Sequence, residues 1–312
     1  MSIRTKPAIG KPFLKWAGGK TQLLRTIDLY LPKNLNYQKD ITYIEPFVGG
    51  GAVLFYMLQN YPNIKKAVIN DINIRLVKTY KTIKENPAQL IENLSFLEAA
   101  YKRLSKEAEK KDFYLSIREK FNTCDLSDVE LAAYMIFLNR TCFNGLYREN
   151  SKGYFNVPFG KYSNPTICDA ELILSDSLLL QNVVIHHGDF ADTEKYIEGY
   201  TLFYLDPPYR PLSSTSSFNS YVKDVFNDAE QIRLKNFFSS LSNLGCHALL
   251  SNSDCKACDG EDNFMDVLYQ DFIIDRVCAK RSINANPSKR GKLTELLIRN
   301  YRETKGLDGS LF

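Results

Sequence analysis

The sequence predicts an α/β fold, an open sheet of short apolar strands covered by helices, with a long helical segment inserted into it. Three observations lead there. Residues 201–205, TLFYL, are apolar and rich in β-formers, and they stop at Asp206-Pro207-Pro208-Tyr209. Neither proline has a backbone N–H, so the chain must leave the sheet there. Residues 41–45, ITYIE, run into Pro46-Phe47-Val48-Gly49-Gly50-Gly51 and then an apolar helical pattern, a strand–loop–helix opening. Between 81 and 177 apolar residues recur at helical spacing instead.

Composition sets the outer bounds. At 312 residues, with 44% hydrophobic and 24% charged residues, the chain can bury a sizeable core. No apolar run approaches transmembrane length and no signal-peptide core is present, and seven cysteines lie scattered without a framework spacing. A reducing cytoplasm, no membrane and a monomer are the expectation. The net charge is only +4 but unevenly placed. Arg4, Lys6, Lys11, Lys15, Lys20 and Arg25 precede the first acid, and Arg276, Lys280, Arg281, Lys289, Arg290 and Lys292 form a second acid-free run. Two such runs suit a phosphate backbone better than two solvated loops.

Residues 1–12 are polar and expected to be loosely ordered. Phe13-Leu14-Lys15-Trp16-Ala17-Gly18-Gly19-Lys20 then leads into a helix over 21–30, with Thr21 as its N-cap and Pro32 beyond its end. The glycines allow close approach of backbone to a ligand. Lys20 can meet a carboxylate and Trp16 can cover an apolar or cationic group; alone, Trp16 reads as a core residue beside a turn. The Gly49 loop is followed by a helix over 52–59 and lacks two known signatures. Leu54 replaces the third glycine of a dinucleotide fingerprint, and the lysine and hydroxyl of a P-loop are missing. A ligand without a pyrophosphate is favoured, an adenosyl compound carrying an amino acid. A strand over 66–70 ends at Asp71, placed to accept from ribose hydroxyls or to cap a helix over 72–84, or both.

Helices are expected at 86–104, 111–121 and 126–140, the last capped by Asp125 or Ser127. Residues 143–162 read as a β-hairpin turning at Asn150-Ser151-Lys152-Gly153, its arms carrying Asn144, Leu146, Arg148, Lys161 and Tyr162, with Arg140 just before. Polar, basic and aromatic residues interleaved on a projecting hairpin suit groove reading, although an ordinary surface hairpin looks the same. A strand over 182–187, with His186 and His187 as core histidines, precedes Asp189-Phe190. That pair can hold an adenine, by its amino group and its ring. A Ser/Thr-rich loop at 211–221 is long enough to move over a site. A helix over 228–241, a strand over 246–251 and a strand pair at 272–279 and 293–301 complete the chain, and residues 303–312 read as a frayed tail. Cys255 and Cys258 lack a second ligand pair, so no metal is expected.

The Asp206 edge suits one task. An exocyclic amino group has two N–H donors, and the Asp206 carboxylate and the Pro207 carbonyl can accept one each. Tyr209 offers a face for an extruded base. Alone, the motif could equally be a strand end with a proline turn.

FLKWAGGK, EPFVGGG, NDIN, LNRTCFNGLYR with FNVPFGKY, and DPPYRPLSSTSSF form an ordered series, and the resemblance they carry runs from about Phe13 to Tyr301. It resembles the Dam-type and DpnII-type (class alpha) adenine-specific DNA methyltransferases. The resemblance implies a Rossmann-like catalytic domain of residues 1–80 and 181–302, with a helical and hairpin target-recognition insert at 81–180. It implies methyl transfer from S-adenosylmethionine to adenine N6 in double-stranded DNA, GATC being the family's commonest target, with a cognate restriction endonuclease as a further partner. Asp206, Pro207 and Tyr209 would be catalytic. Trp16, Lys20, Phe47, Gly49, Asp71, Asp189, Phe190 and Asp206 would bind the cofactor, and Arg140, Asn144, Leu146, Arg148, Lys161 and Tyr162 the DNA. Many members carry arginine at Lys161 and cysteine at Tyr147. A methyltransferase of RNA or of a protein amide, and a non-catalytic DNA-binding module, are the rival readings.

Overall fold

The computed structural model describes residues 9–210, 226–257, 259–279 and 293–306. The expected mobile loop at 211–221, Cys258 and residues 280–292 of the basic run lie outside them. Seven strands form one sheet: β1 (Ile41–Glu45), β2 (Ile64–Asp71), β3 (Val183–His187), β4 (Thr201–Leu205), β5 (His247–Ser253), β6 (Ile273–Ala279) and β7 (Leu293–Arg299). Their order is β3-β2-β1-β4-β5-β7-β6. β1 pairs parallel with β2 and β4, and β4 with β5, while β7 runs antiparallel to both β5 and β6. This is a Rossmann-like α/β sheet, and the reversal of order beside β1 puts the β1 and β4 carboxyl ends where such sheets bind ligands. β1 and β4 are buried at every residue, which is why both read as unbroken apolar runs.

Packing divides the chain into two compact units. One comprises Met1–Gly19, Gly49–Asn60 and Asp71–Gly188; the other comprises Lys20–Val48, Tyr61–Asn70 and Asp189–Phe312. The division expected from sequence follows the motifs, whereas these units follow packing and cut the chain elsewhere.

In the first unit, α2 (Ala52–Asn60), α3 (Ile74–Glu85), α4 (Pro87–Arg103), α5 (Glu107–Thr123) and α6 (Asp128–Thr141) carry the helical spacing into structure, and α7 (Ala170–Leu180) is an additional helix. Ser127 caps α6 reciprocally with Glu130, and Asp169 caps α7. The hairpin at 143–162 is not a regular ladder. The chain turns at 150–153 with Asn156 N–H donating to the Arg148 carbonyl, but only isolated bridges link Glu149 with Phe155 and Cys142 with Phe159. A 3₁₀ turn over Phe143–Gly145 takes the place of its first arm. His186 is half-buried and His187 exposed, a correction that follows from β3 being an edge strand.

A strap over residues 10–15 is held in this unit by side chains rather than by a ladder. Gln59 bonds Gly10 at both its N–H and its carbonyl, and Asp176 accepts from Lys11 N–H. Arg140 donates to the Phe13 carbonyl, and Asn139 bonds Lys15 at both its N–H and its carbonyl. The expected looseness of residues 1–12 therefore does not extend to 10–12.

The second unit holds α1 (Leu24–Tyr30), α8 (Asp228–Asn243), α9 (Phe264–Leu268) and the strands from β4 onward, with β1 and most of β2. Ile44, Phe203, Leu205, Leu234, Phe238 and Leu250 are among its core residues. Thr21 does not cap α1: residues 21–23 form a turn, and Leu23 at the N-cap position makes no side-chain bond. Residues 303–306 are not frayed. Lys33, Lys305 and Gly306 form backbone bonds that tie this segment to residues 29–33, and Lys305 pairs with Asp28.

Candidate active site

The carboxyl end of β4 carries a dense polar cluster, all of it in the second unit. Asp206 Oδ1 lies 2.8 Å from Lys20 Nζ and accepts from Ser251 Oγ at 3.0 Å. Both donors fall on one oxygen; among the described residues no donor reaches Oδ2. Lys20 is 4% exposed, and its ammonium sits 4.5 Å from the centre of the Tyr209 ring. Tyr209 donates its hydroxyl to Glu295 Oε2 at 2.9 Å on β7. Burial first, and then the charge of Asp206, hold the Tyr209 phenol well above its ordinary range, so it stays protonated. The two proline carbonyls differ. That of Pro208 accepts from Gln231 Nε2, whereas that of Pro207 has no donor among the described residues. Among the described residues, Asp206 Oδ2 and the Pro207 carbonyl are thus two open acceptors on consecutive residues.

Phe47, Phe190 and Phe226 form an aromatic group in the same unit, with ring centres 5.3–6.2 Å apart. Asp189 lies beside it and is engaged. Arg233 on α8 donates to both carboxylate oxygens, at 2.8 and 2.7 Å, and its guanidinium lies 4.1 Å from the Phe190 ring centre. That pairing holds the Asp189 carboxyl below the usual range.

In the first unit the end of β2 meets the glycine loop. Asp71 Oδ2 accepts from Gly49 N–H at 3.1 Å and Oδ1 from Asn73 N–H at 2.9 Å. The helix cap is Asn73, whose Oδ1 accepts from Arg75 and Leu76 N–H, so Asp71 is free of that duty. Burial raises the Asp71 carboxyl against these bonds. Gly49 has φ +48°, and an added Cβ would lie 2.9 Å from the Trp16 ring, so only glycine suits this approach. Trp16 stacks on Tyr147 at 5.0 Å, and Tyr147 bonds Glu149.

The expected DNA residues also fall in the first unit. Arg140 faces inward, donating to the Phe13 carbonyl, with its Nε buried and unpaired. Asn144 adopts a left-handed conformation beside Phe143, which is 51% exposed, and Leu146 is also exposed. Arg148 is bonded through Nε to Asn156 Oδ1 at 2.7 Å. Lys161 pairs with Glu107 in solvent, and the Tyr162 carbonyl accepts from Tyr101. Arg233, Ser251, Glu295 and Asn156 escape sequence reading, because each meets its partner only through the fold. The polar run Ser251-Asn252-Ser253-Asp254 at the end of an apolar strand was the one visible signal for Ser251.

Each unit by itself carries groups that suit part of an adenosyl compound with an amino acid: a carboxylate and a tight glycine loop in the first, carboxylates and aromatic faces in the second. Among the described residues no group of His, Cys, Asp and Glu could hold a metal, and no helix is long and apolar enough to cross a membrane. Comparison with known proteins is consistent throughout. The family model "D12 class N6 adenine-specific DNA methyltransferase" matches residues 16–283. The chain is 49% identical over 294 residues to the Type II methyltransferase M.MjaIII of Methanocaldococcus jannaschii, covering 93% of this chain and 99% of that protein. It is 40% identical to the Type II methyltransferase M1.LlaDCHI of Lactococcus lactis subsp. cremoris, covering 93% and 95%. It is 34% identical to the DNA adenine methylase of Haemophilus influenzae, covering 92% of each. With S-adenosylmethionine as methyl donor and DNA as substrate, this chain belongs to the D12 class of N6 adenine-specific DNA methyltransferases.

Proposed function

We propose that the chain methylates the adenine of GATC in duplex DNA as a monomer and acts as the modification partner of a restriction endonuclease. The exposed segment from Phe143 to Lys161 carries this reading. It offers an arginine, a lysine, a left-handed asparagine and an exposed aromatic ring on one looped segment. The Type II names belong to relatives at 49% and 40% identity, against 34% for the DNA adenine methylase, which favours a restriction partner over a solitary role. Residues 81–180 are proposed to read the DNA.

S-adenosylmethionine supplies a methyl group already activated on its sulfonium, so the protein's task is orientation. The target amino group donates to Asp206 Oδ2 and to the Pro207 carbonyl, the two acceptors left open at the β4 edge. Both bonds pull its lone pair out of conjugation and aim it. Tyr209 supplies a ring for the extruded adenine, whose unstacking costs a few kcal/mol. Asp71 would accept from ribose hydroxyls with the lone pairs that Gly49 and Asn73 leave. Trp16 in the first unit, and separately Phe47 and Phe190 in the second, would each cover an apolar part of the ligand, and Asp189 would accept from its adenine amino group.

Tritium transfer to a GATC duplex and to the six distinct duplexes carrying one substituted base pair tests the target. Methylation of GATC alone is expected. Equal labelling of an unrelated adenine site would overturn the GATC assignment. Purification from the source cells of an endonuclease cutting unmodified GATC tests the pairing.

A further inference from the structure

We infer that Ser251 and Tyr204 are positioning residues for the transfer: they hold the Asp206 carboxylate so that Oδ2 faces the target amino group. The inference rests on the reading of Asp206 as an acceptor for that group. A serine hydroxyl has one proton to give. Ser251 Oγ lies 3.0 Å from Asp206 Oδ1 and 3.0 Å from the Tyr204 hydroxyl. An ionised carboxylate only accepts, so the serine proton belongs to Asp206 and Tyr204 must donate to Ser251. Tyr204 is fit for that: burial, and then the charge of Asp206, hold its phenol well above the ordinary range. The direction of the chain is therefore Tyr204 to Ser251 to Asp206.

The sheet builds this chain. Leu205 on β4 is in register with Leu250 on β5, so the next residue of each, Asp206 and Ser251, leave the pairing side by side. Tyr204 lies two residues before Asp206, on the same face of the extended chain. Ser251 is fully buried and Tyr204 is 1% exposed, so neither is open to a substrate and both act through Asp206. With Lys20 on the same oxygen, Oδ1 is fixed by two donors, and the plane of the carboxylate is fixed with it. A carboxylate held by Lys20 alone would keep its charge pairing but could turn about its Cβ–Cγ bond.

The test uses single-turnover transfer on a GATC duplex by Ser251→Ala, Tyr204→Phe and Ser251→Thr. Ser251→Ala should lower the rate about 10- to 100-fold, the scale of a small misplacement at a reacting centre. Tyr204→Phe removes only an oxygen and should lower it less. Affinities for S-adenosylmethionine and DNA should be unchanged, and Ser251→Thr, which keeps the hydroxyl, should recover most of the rate. Unchanged rates in both deletion variants would overturn the inference, as would rate losses matched by equal losses in cofactor affinity. Asp206→Ala separates the two levels. If it transfers normally, the acceptor reading itself falls. If it is inactive while Ser251→Ala and Tyr204→Phe are normal, only the positioning role falls.

Discussion

Lys20 and Asp206 form a near-buried ion pair, with the ammonium 2.8 Å from Oδ1 and 4.5 Å from the Tyr209 ring centre. The pair unites two motifs 186 residues apart (206 − 20), the Gly-Gly-Lys opening and the Asp-Pro-Pro-Tyr edge. Removing one partner of a buried pair costs about 3–5 kcal/mol, and the partial exposure of Asp206 favours the lower end. Lys20→Met should therefore lower the melting temperature. Asp206→Asn added to it should restore part of that loss without restoring transfer. Asp206→Ala alone should lower the single-turnover rate about 100- to 1000-fold with DNA affinity retained. A melting temperature of Lys20→Met equal to wild type would mean that the pair contributes no stability.

Asp71 and Asn73 stand two residues apart and do different things. Asn73 caps α3, so Asn73→Ala should cost about 1 kcal/mol of stability with cofactor affinity unchanged. Asp71 caps nothing; it ties down the Gly49 loop. Asp71→Ala should weaken S-adenosylmethionine binding more than DNA binding. Calorimetry on both variants decides this, and unchanged affinity in Asp71→Ala would reduce the residue to a loop anchor.

Asp176 gives a pH signature. Burial pushes its carboxyl up to about 8, with Asp169 adding to the rise and the Lys11 N–H opposing it. In the unfolded chain an aspartate titrates near 4. Between those values the folded state holds a proton that the unfolded state has lost. Stability from this group is therefore full below about pH 4, falls as pH rises toward 8, and is flat beyond. Asp176→Asn keeps an acceptor for Lys11 N–H and removes the titration. Its melting temperature should exceed that of wild type by a margin that grows from pH 5 to 8. A constant margin across that range would show that Asp176 is ionised in the fold.

Strand ends were legible where the chain itself marks them. β1 and β4 match their expected bounds because Pro46 and Pro207 stop them. α1 was placed too early because Thr21 has the right chemistry for a cap but sits in a turn. α7 was missed: its run Ile173-Leu174-Ser175-Asp176-Ser177-Leu178 shows no clear stripe, since it buries Ser175, Asp176 and Ser177 while leaving Leu174 and Leu178 exposed. In the site, residue types were legible but their partners were not. Lys20 was expected to meet a carboxylate, and the structure supplies that carboxylate as Asp206. The sequence offers Asp189 as an acceptor for an adenine amino group and gives no sign that Arg233 from α8 holds both its oxygens. Local motifs list the groups; only the sheet order says which of them meet.

Arg148 and Lys161 lie on the same looped segment and should fail in different ways. Arg148 is held through Nε by Asn156 Oδ1, and a second nitrogen lies 3.4 Å from the Asn156 carbonyl. A guanidinium fixed along one edge presents the other in a set direction, which suits two parallel bonds to guanine O6 and N7. Lys161 is a point charge on a flexible stem, paired with Glu107 where both are exposed, which suits a phosphate. Arg148→Ala should relax discrimination at one base position of GATC by about 1–3 kcal/mol. Lys161→Ala should weaken binding to all sequences alike and flatten the salt dependence. Asn156→Ala leaves the arginine in place but unheld, so it should show a milder form of the Arg148 defect and none of the salt effect. Methylation rates on GATC and on singly substituted duplexes at two salt concentrations distinguish these outcomes. If Arg148→Ala lowers every rate by the same factor, Arg148 neutralises phosphate, and its bond to Asn156 serves the loop rather than the reading of a base.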